Sequence, residues 1–100
     1  MELKTLKKLI VKDLKEKGYI NKKRLPNYSR GEVYFDVWIR EGNDYLHDCI
    51  VVYVLNSHNS YLEEDLRKYR QIAKCLVDCG YDIEMSYPCY LYITEVINRF

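Results

Sequence analysis

Two segments of this chain end in the same way, and that shared ending limits what the chain can fold into. Ile10, Leu14, Gly18 and Tyr19 match Ile72, Leu76, Gly80 and Tyr81 at a single offset. Apolar residues one turn apart make a helical stripe, and a glycine just past the last turn supplies a left-handed C-cap. Leu3, Leu6, Ile10 and Leu14 extend the first stripe, so residues 2–17 read as an amphipathic helix with Tyr19 folding back onto its end. Leu62, Leu66, Tyr69, Ala73 and Leu76 form the second, in a helix from Tyr61 to Cys79 opened by a Ser60–Glu63 capping box. A duplicated αββ unit would explain the echo, and so would two helices sharing one common capping solution.

Between and after these helices the apolar period falls to two. Val33, Phe35, Val37 and Ile39 alternate with Tyr34, Asp36, Trp38 and Arg40, the pattern of a strand with one covered face. Glu41-Gly42-Asn43-Asp44 reads as a tight turn, and Tyr45 to Leu55 as the return strand. The unbroken apolar run Ile50 to Leu55 places that strand centrally. Tyr81 to Met85 and Cys89 to Val96 read as two short strands around Tyr87-Pro88, and residues 19–31 as a loop with room for one irregular strand. The expected fold is a single α/β domain over residues 1–100. It has a mixed sheet of four to five strands and two helices in the order α-(β)-β-β-α-β-β.

One hundred residues allow one core. No apolar run reaches membrane-spanning length, and the lysine-rich start lacks the apolar stretch of a signal peptide, so the expected location is cytoplasmic. Cys49, Cys75, Cys79 and Cys89 form no CxxC pair and read as reduced and mostly buried. Net charge is +1, but residues 1–30 hold ten Lys and Arg against three acids, and residues 31–100 hold six against twelve. A basic end on an acidic body marks either a nucleic-acid contact or a solvated lysine face.

The order helix, irregular strand, two strands, helix, strand resembles the core of the restriction-endonuclease-like nucleases. That family carries an Asp on one strand and an acid-x-Lys pair on the next, with a helix after it. Asp36 matches the first acid, and Tyr53-Val54-Leu55 stands where the acid-x-Lys would fall. The chemistry implied by the resemblance uses carboxylates to hold Mg²⁺, which activates water, and a lysine to offset developing charge. Tyr53 and Leu55 supply neither. The resemblance therefore implies the scaffold without the cleavage. The alternative is a Mg²⁺-dependent nuclease that keeps Asp36 and draws on Glu63, Glu64 or Lys68 from the second helix, residues otherwise explained by a cap and surface ion pairs.

Two further clusters carry metal-binding alternatives. If Arg40 pairs with Tyr45, Asp36 opposes Cys49 and Trp38 opposes His47, placing an acid, an imidazole and a thiol on one sheet face. Cys75 and Cys79 lie one helical turn apart, with Cys79 nearer the stripe. Ordinary sheet packing and separate buried thiols explain both without a metal, and no resident cofactor is expected.

The functional expectation rests on the basic residues. Lys4, Lys8, Lys12 and Lys15 share the polar side of the first helix, and Lys22, Lys23, Arg24, Tyr28 and Arg30 follow in a basic-aromatic loop. Lysines and arginines hold phosphates, and a tyrosine stacks on a base. The expected function is a small intracellular binding module without catalysis, recognising nucleic acid or a protein partner. Its eleven tyrosines also suit a protein interface. A homodimer, and an inhibitor of a host system carried by a phage or mobile element, are both compatible with such a module.

Overall fold

The alternating segment and its apolar neighbour pair as adjacent strands, and both helices cover the same side of them. A computed structural model describes residues 1–26, 31–56 and 62–97. The elements are α1 (Leu3–Glu16), β1 (Ile20–Asn21), β2 (Tyr34–Arg40), β3 (Cys49–Val54), α2 (Glu63–Asp78), β4 (Tyr81–Ser86) and β5 (Tyr90–Val96). The sheet order is β1-β2-β3-β5-β4, with β1 parallel to β2 and the other neighbours antiparallel. This is the expected mixed sheet with two helices, and β3 takes the central place its apolar run demands.

The core follows from the two periodicities. Leu6, Ile10 and Leu14 of α1 and Tyr69, Ile72 and Leu76 of α2 pack on Phe35 and Val37 of β2, Ile50, Val52 and Val54 of β3, and Leu91 and Ile93 of β5. Each such side chain, fully buried, contributes about 1.5–3 kcal/mol. Among the described residues no helix lies over the other face of the sheet. The side chains there are the alternate set: Tyr34, Asp36, Trp38 and Arg40 on β2, Val51 and Tyr53 on β3, Tyr90 and Tyr92 on β5, and Glu84 and Ser86 on β4.

The twin endings are realised. Gly18 and Gly80 both take positive φ, 91° and 92°. At α1 the Gly18 N–H donates to Lys15 C=O (3.0 Å) and the Tyr19 N–H to Leu14 C=O (3.1 Å), the two bonds of a Schellman cap. The start of α2 differs from expectation. Leu62 is its N-cap residue, makes no side-chain capping bond and is exposed, so it drops out of the stripe. Ser60 lies outside the described residues. Glu63, Glu64 and Asp65 in the first turn instead set negative charge against the helix dipole.

The β2–β3 register also corrects the sequence reading. Residues 41–48 form a longer loop, not a tight turn at 41–44. The Asn43 side-chain oxygen accepts the N–H groups of Tyr45 and Leu46 (2.8 and 3.0 Å), and the Asp48 carboxylate accepts the Gly42 N–H. A β-carbon at Gly42 would collide with the Leu46 carbonyl oxygen, so the loop requires glycine there. Arg40 therefore pairs with Cys49, Trp38 with Val51 and Asp36 with Tyr53. His47 stays in the loop, exposed, and the Asp36–His47–Cys49 cluster does not form.

Candidate functional site

The lysines of α1 come together. Lys4, Lys7, Lys8, Lys12 and Lys15, with Glu16, line a groove of about 750 Å³ that also takes in Val11 and Ile39. The geometry is dictated locally. Residues spaced three and four apart share a helix face, and Ile39 at the end of β2 lies beside that face once Leu6, Ile10 and Leu14 dock α1 on the sheet. Lys12 approaches Glu16 at 3.9 Å with both side chains mostly exposed, a pair too weak to neutralise the groove. Clefts lined by one sign of charge concentrate field, so this groove attracts anions.

Of the other expected contacts, Lys22, Lys23 and Arg24 are exposed just after β1 and do not line the groove. Tyr28 and Arg30 lie outside the described residues. The sequence reading missed Lys7 and Ile39. The i,i+3 and i,i+4 spacing of Lys7 to Lys4 and Val11 could have found the first, whereas Ile39 joins only through tertiary packing.

Asp36 sits on the open face, directly opposite Tyr53, and its carboxylate accepts the Val37 N–H at 2.9 Å. Glu64 and Lys68 belong to α2, which covers the opposite face. Lys68 is 7% exposed and lies 3.5 Å from Glu64, so their pairing is half buried and not the surface contact the spacing suggested. Among the described residues no group of three or more His, Cys, Asp or Glu is placed to hold a metal ion.

The thiols also depart from expectation. Cys75 is buried in the core and Cys79 only half buried, the reverse of their expected placement. Burial pushes the Cys75 thiol up to about 11, and the neighbouring Cys79 adds to the shift. A thiol held protonated in this way is a poor metal ligand or nucleophile.

A second concentration of side chains lies on the open face. Trp38, Tyr53 and Tyr90, from three adjacent strands, bring their rings within 5.1–6.4 Å of one another. The Arg40 guanidinium stands 4.7 Å over the Tyr92 ring. Burial raises the Tyr53 phenol above its ordinary range. Tyr90 is 37% exposed, and Val51, paired with Trp38 on one side and Tyr92 on the other, is buried.

Among the described residues no helix is long and apolar enough to cross a membrane. Comparison with protein-family models, with curated proteins and with solved structures finds no match to this chain.

Proposed function

We propose that this chain is a non-catalytic binding module that holds the phosphate backbone of nucleic acid along the α1 groove. The observation that carries the reading is the convergence of five lysines on one concavity. From Lys4 to Lys15 the helix rises about 16 Å, the length of roughly five phosphates on one duplex strand. The same lysines stand at i,i+3 and i,i+4, where like charges each cost about 0.2–0.5 kcal/mol. Their cost to the helix supports a role outside folding.

The competing class is a Mg²⁺-dependent nuclease using Asp36 with relocated partners. What speaks for the non-catalytic reading is the placement of Asp36 against Tyr53, on the face away from Glu64 and Lys68.

Fluorescence polarisation with labelled duplex and single-stranded oligonucleotides tests the proposal. Four contacted phosphates on duplex would give a log–log salt slope of about −3.6. Replacing Lys4, Lys8, Lys12 and Lys15 together by Gln should flatten that slope and weaken low-salt binding at least about tenfold. Changing Lys22, Lys23 and Arg24 together should matter less. Absence of binding at low salt would sink the proposal. Mg²⁺-dependent cleavage lost in Asp36→Ala would replace it with the nuclease reading.

A further inference from the structure

The open sheet face has the opposite charge character to the α1 groove. Its acids are Asp36, Asp82, Glu84 and Glu95, and among the described residues its one cation, Arg40, is already stacked on Tyr92. Asp82, Glu84, Tyr92 and Thr94 line a pocket of about 150 Å³ next to the Trp38–Tyr53–Tyr90 rings. Tyr90 in the ring cluster and Tyr92 at the edge of the pocket are alternate residues on one side of β5, so their Cα atoms lie about 7 Å apart. That is also the spacing of alternate side chains on an extended peptide.

We infer that this face is a docking surface for a protein segment presenting arginine side chains, with one guanidinium in the acidic pocket and the next side chain on the rings. Charge complementarity selects this occupant. A nucleic-acid strand would find rings to stack on, but its phosphates would meet four carboxylates. A planar guanidinium can face the two carboxylates of the pocket or stack on the neighbouring Trp38, Tyr53 and Tyr90 rings, and it sheds water more readily than an ammonium. Aromatic clusters of this kind dominate protein–protein contacts once desolvated. The face is separate from the α1 groove, so the inference stands or falls independently of nucleic-acid binding.

Trp38 is the only tryptophan of the chain and sits in the ring cluster, so its emission reports occupancy. The full chain would be titrated with a short peptide alternating Arg and Val, with Gln/Val and Glu/Val peptides of the same length, and with an oligo-dT strand. The Arg peptide should shift Trp38 emission saturably, and the others should not. Asp82→Asn with Glu84→Gln should weaken the response about tenfold, a loss of about 1.4 kcal/mol. Glu41→Gln with Asp44→Asn, an equal charge change in the β2–β3 loop, should leave it unchanged. These are exposed, near-isosteric replacements, so folding is preserved and the two pairs compare directly. The inference is overturned by no response, by equal responses to the Arg and Gln peptides, or by a response to oligo-dT. It is also overturned if the loop pair weakens binding as much as the pocket pair. Sedimentation showing that the chain alone self-associates through this face would assign the surface to a second copy and overturn it too.

Discussion

The two helices meet one packing demand in the same way and diverge wherever packing stops deciding. Ile10 and Leu14 on α1, and Ile72 and Leu76 on α2, are all fully buried against one sheet face, and both helices close on a glycine at positive φ. Each also buries charge: α1 buries Asp13, and α2 buries both Asp65 and Lys68. On α1 the Asp13 carboxylate accepts the Tyr81 hydroxyl from β4, and on α2 Lys68 lies against Glu64. Their outer sides differ in charge: α1 carries the lysine groove and α2 opens on Glu63 and Glu64, although both keep an exposed i,i+4 lysine–carboxylate pair at the same offset, Lys12–Glu16 and Lys74–Asp78. Stripe, cap and buried partner are thus the requirements of the fold. The outer residues are free of it, and function is read most reliably from them.

The largest test of that equivalence is to truncate each stripe at the same place. Leu14→Ala and Leu76→Ala each remove a fully buried side chain, and each should cost about 2–5 kcal/mol by urea denaturation followed by far-UV circular dichroism. Similar losses, with single transitions, would show both helices in one cooperative unit. A small loss at Leu14 with an intact transition would break the comparison, because α1 would then be an appendage.

The buried charges give a smaller and more selective effect. Tyr81→Phe keeps the ring in the core and removes the hydroxyl that donates to Asp13. Losing a donor to a buried carboxylate costs about 1–3 kcal/mol. The measurement is again the urea midpoint at unchanged slope. A change below about 0.3 kcal/mol would mean that Asp13 is satisfied without the β4 tyrosine, and that this tie between α1 and the sheet edge contributes little.

What the sequence made legible follows the same division. The stripes, the glycine caps, the alternation of residues 33–40 and the central run at 50–55 are all periodicities of single segments, which side-chain chemistry writes directly. Strand register is not. Glu41-Gly42-Asn43-Asp44 has turn residues, but the side chains of Asn43 and Asp48 hold a longer loop and move the partner of Asp36 from Cys49 to Tyr53. That shift is an even number of residues, so the residues that stay in the two strands kept their expected face while their cross-strand neighbours changed. The metal cluster failed for this reason. The ring cluster was hidden because β5, not β4, inserts beside β3, and only that order brings Tyr90 to Tyr53. The groove was half legible: helical spacing gathers the lysines, whereas Ile39 arrives by tertiary packing alone.

The smallest expected effect on stability belongs to the residues on which the proposed function depends. Replacing Lys4, Lys8, Lys12 and Lys15 together by Gln keeps a good helix former at each site and touches no buried group. It removes the weak Lys12–Glu16 pair, worth at most a few tenths of a kcal/mol, and relieves like-charge contacts of the same size along the helix. The terms oppose, so the urea midpoint should move by less than about 0.5 kcal/mol, in the stabilising direction if repulsion dominates. A loss above about 1 kcal/mol would make the lysines part of the fold, through their aliphatic stems over Val11 and Ile39. An unchanged or raised midpoint, beside lost oligonucleotide binding, would separate the two roles of α1: one face holds the helix on the sheet, and the other is kept charged at a cost that only a ligand explains.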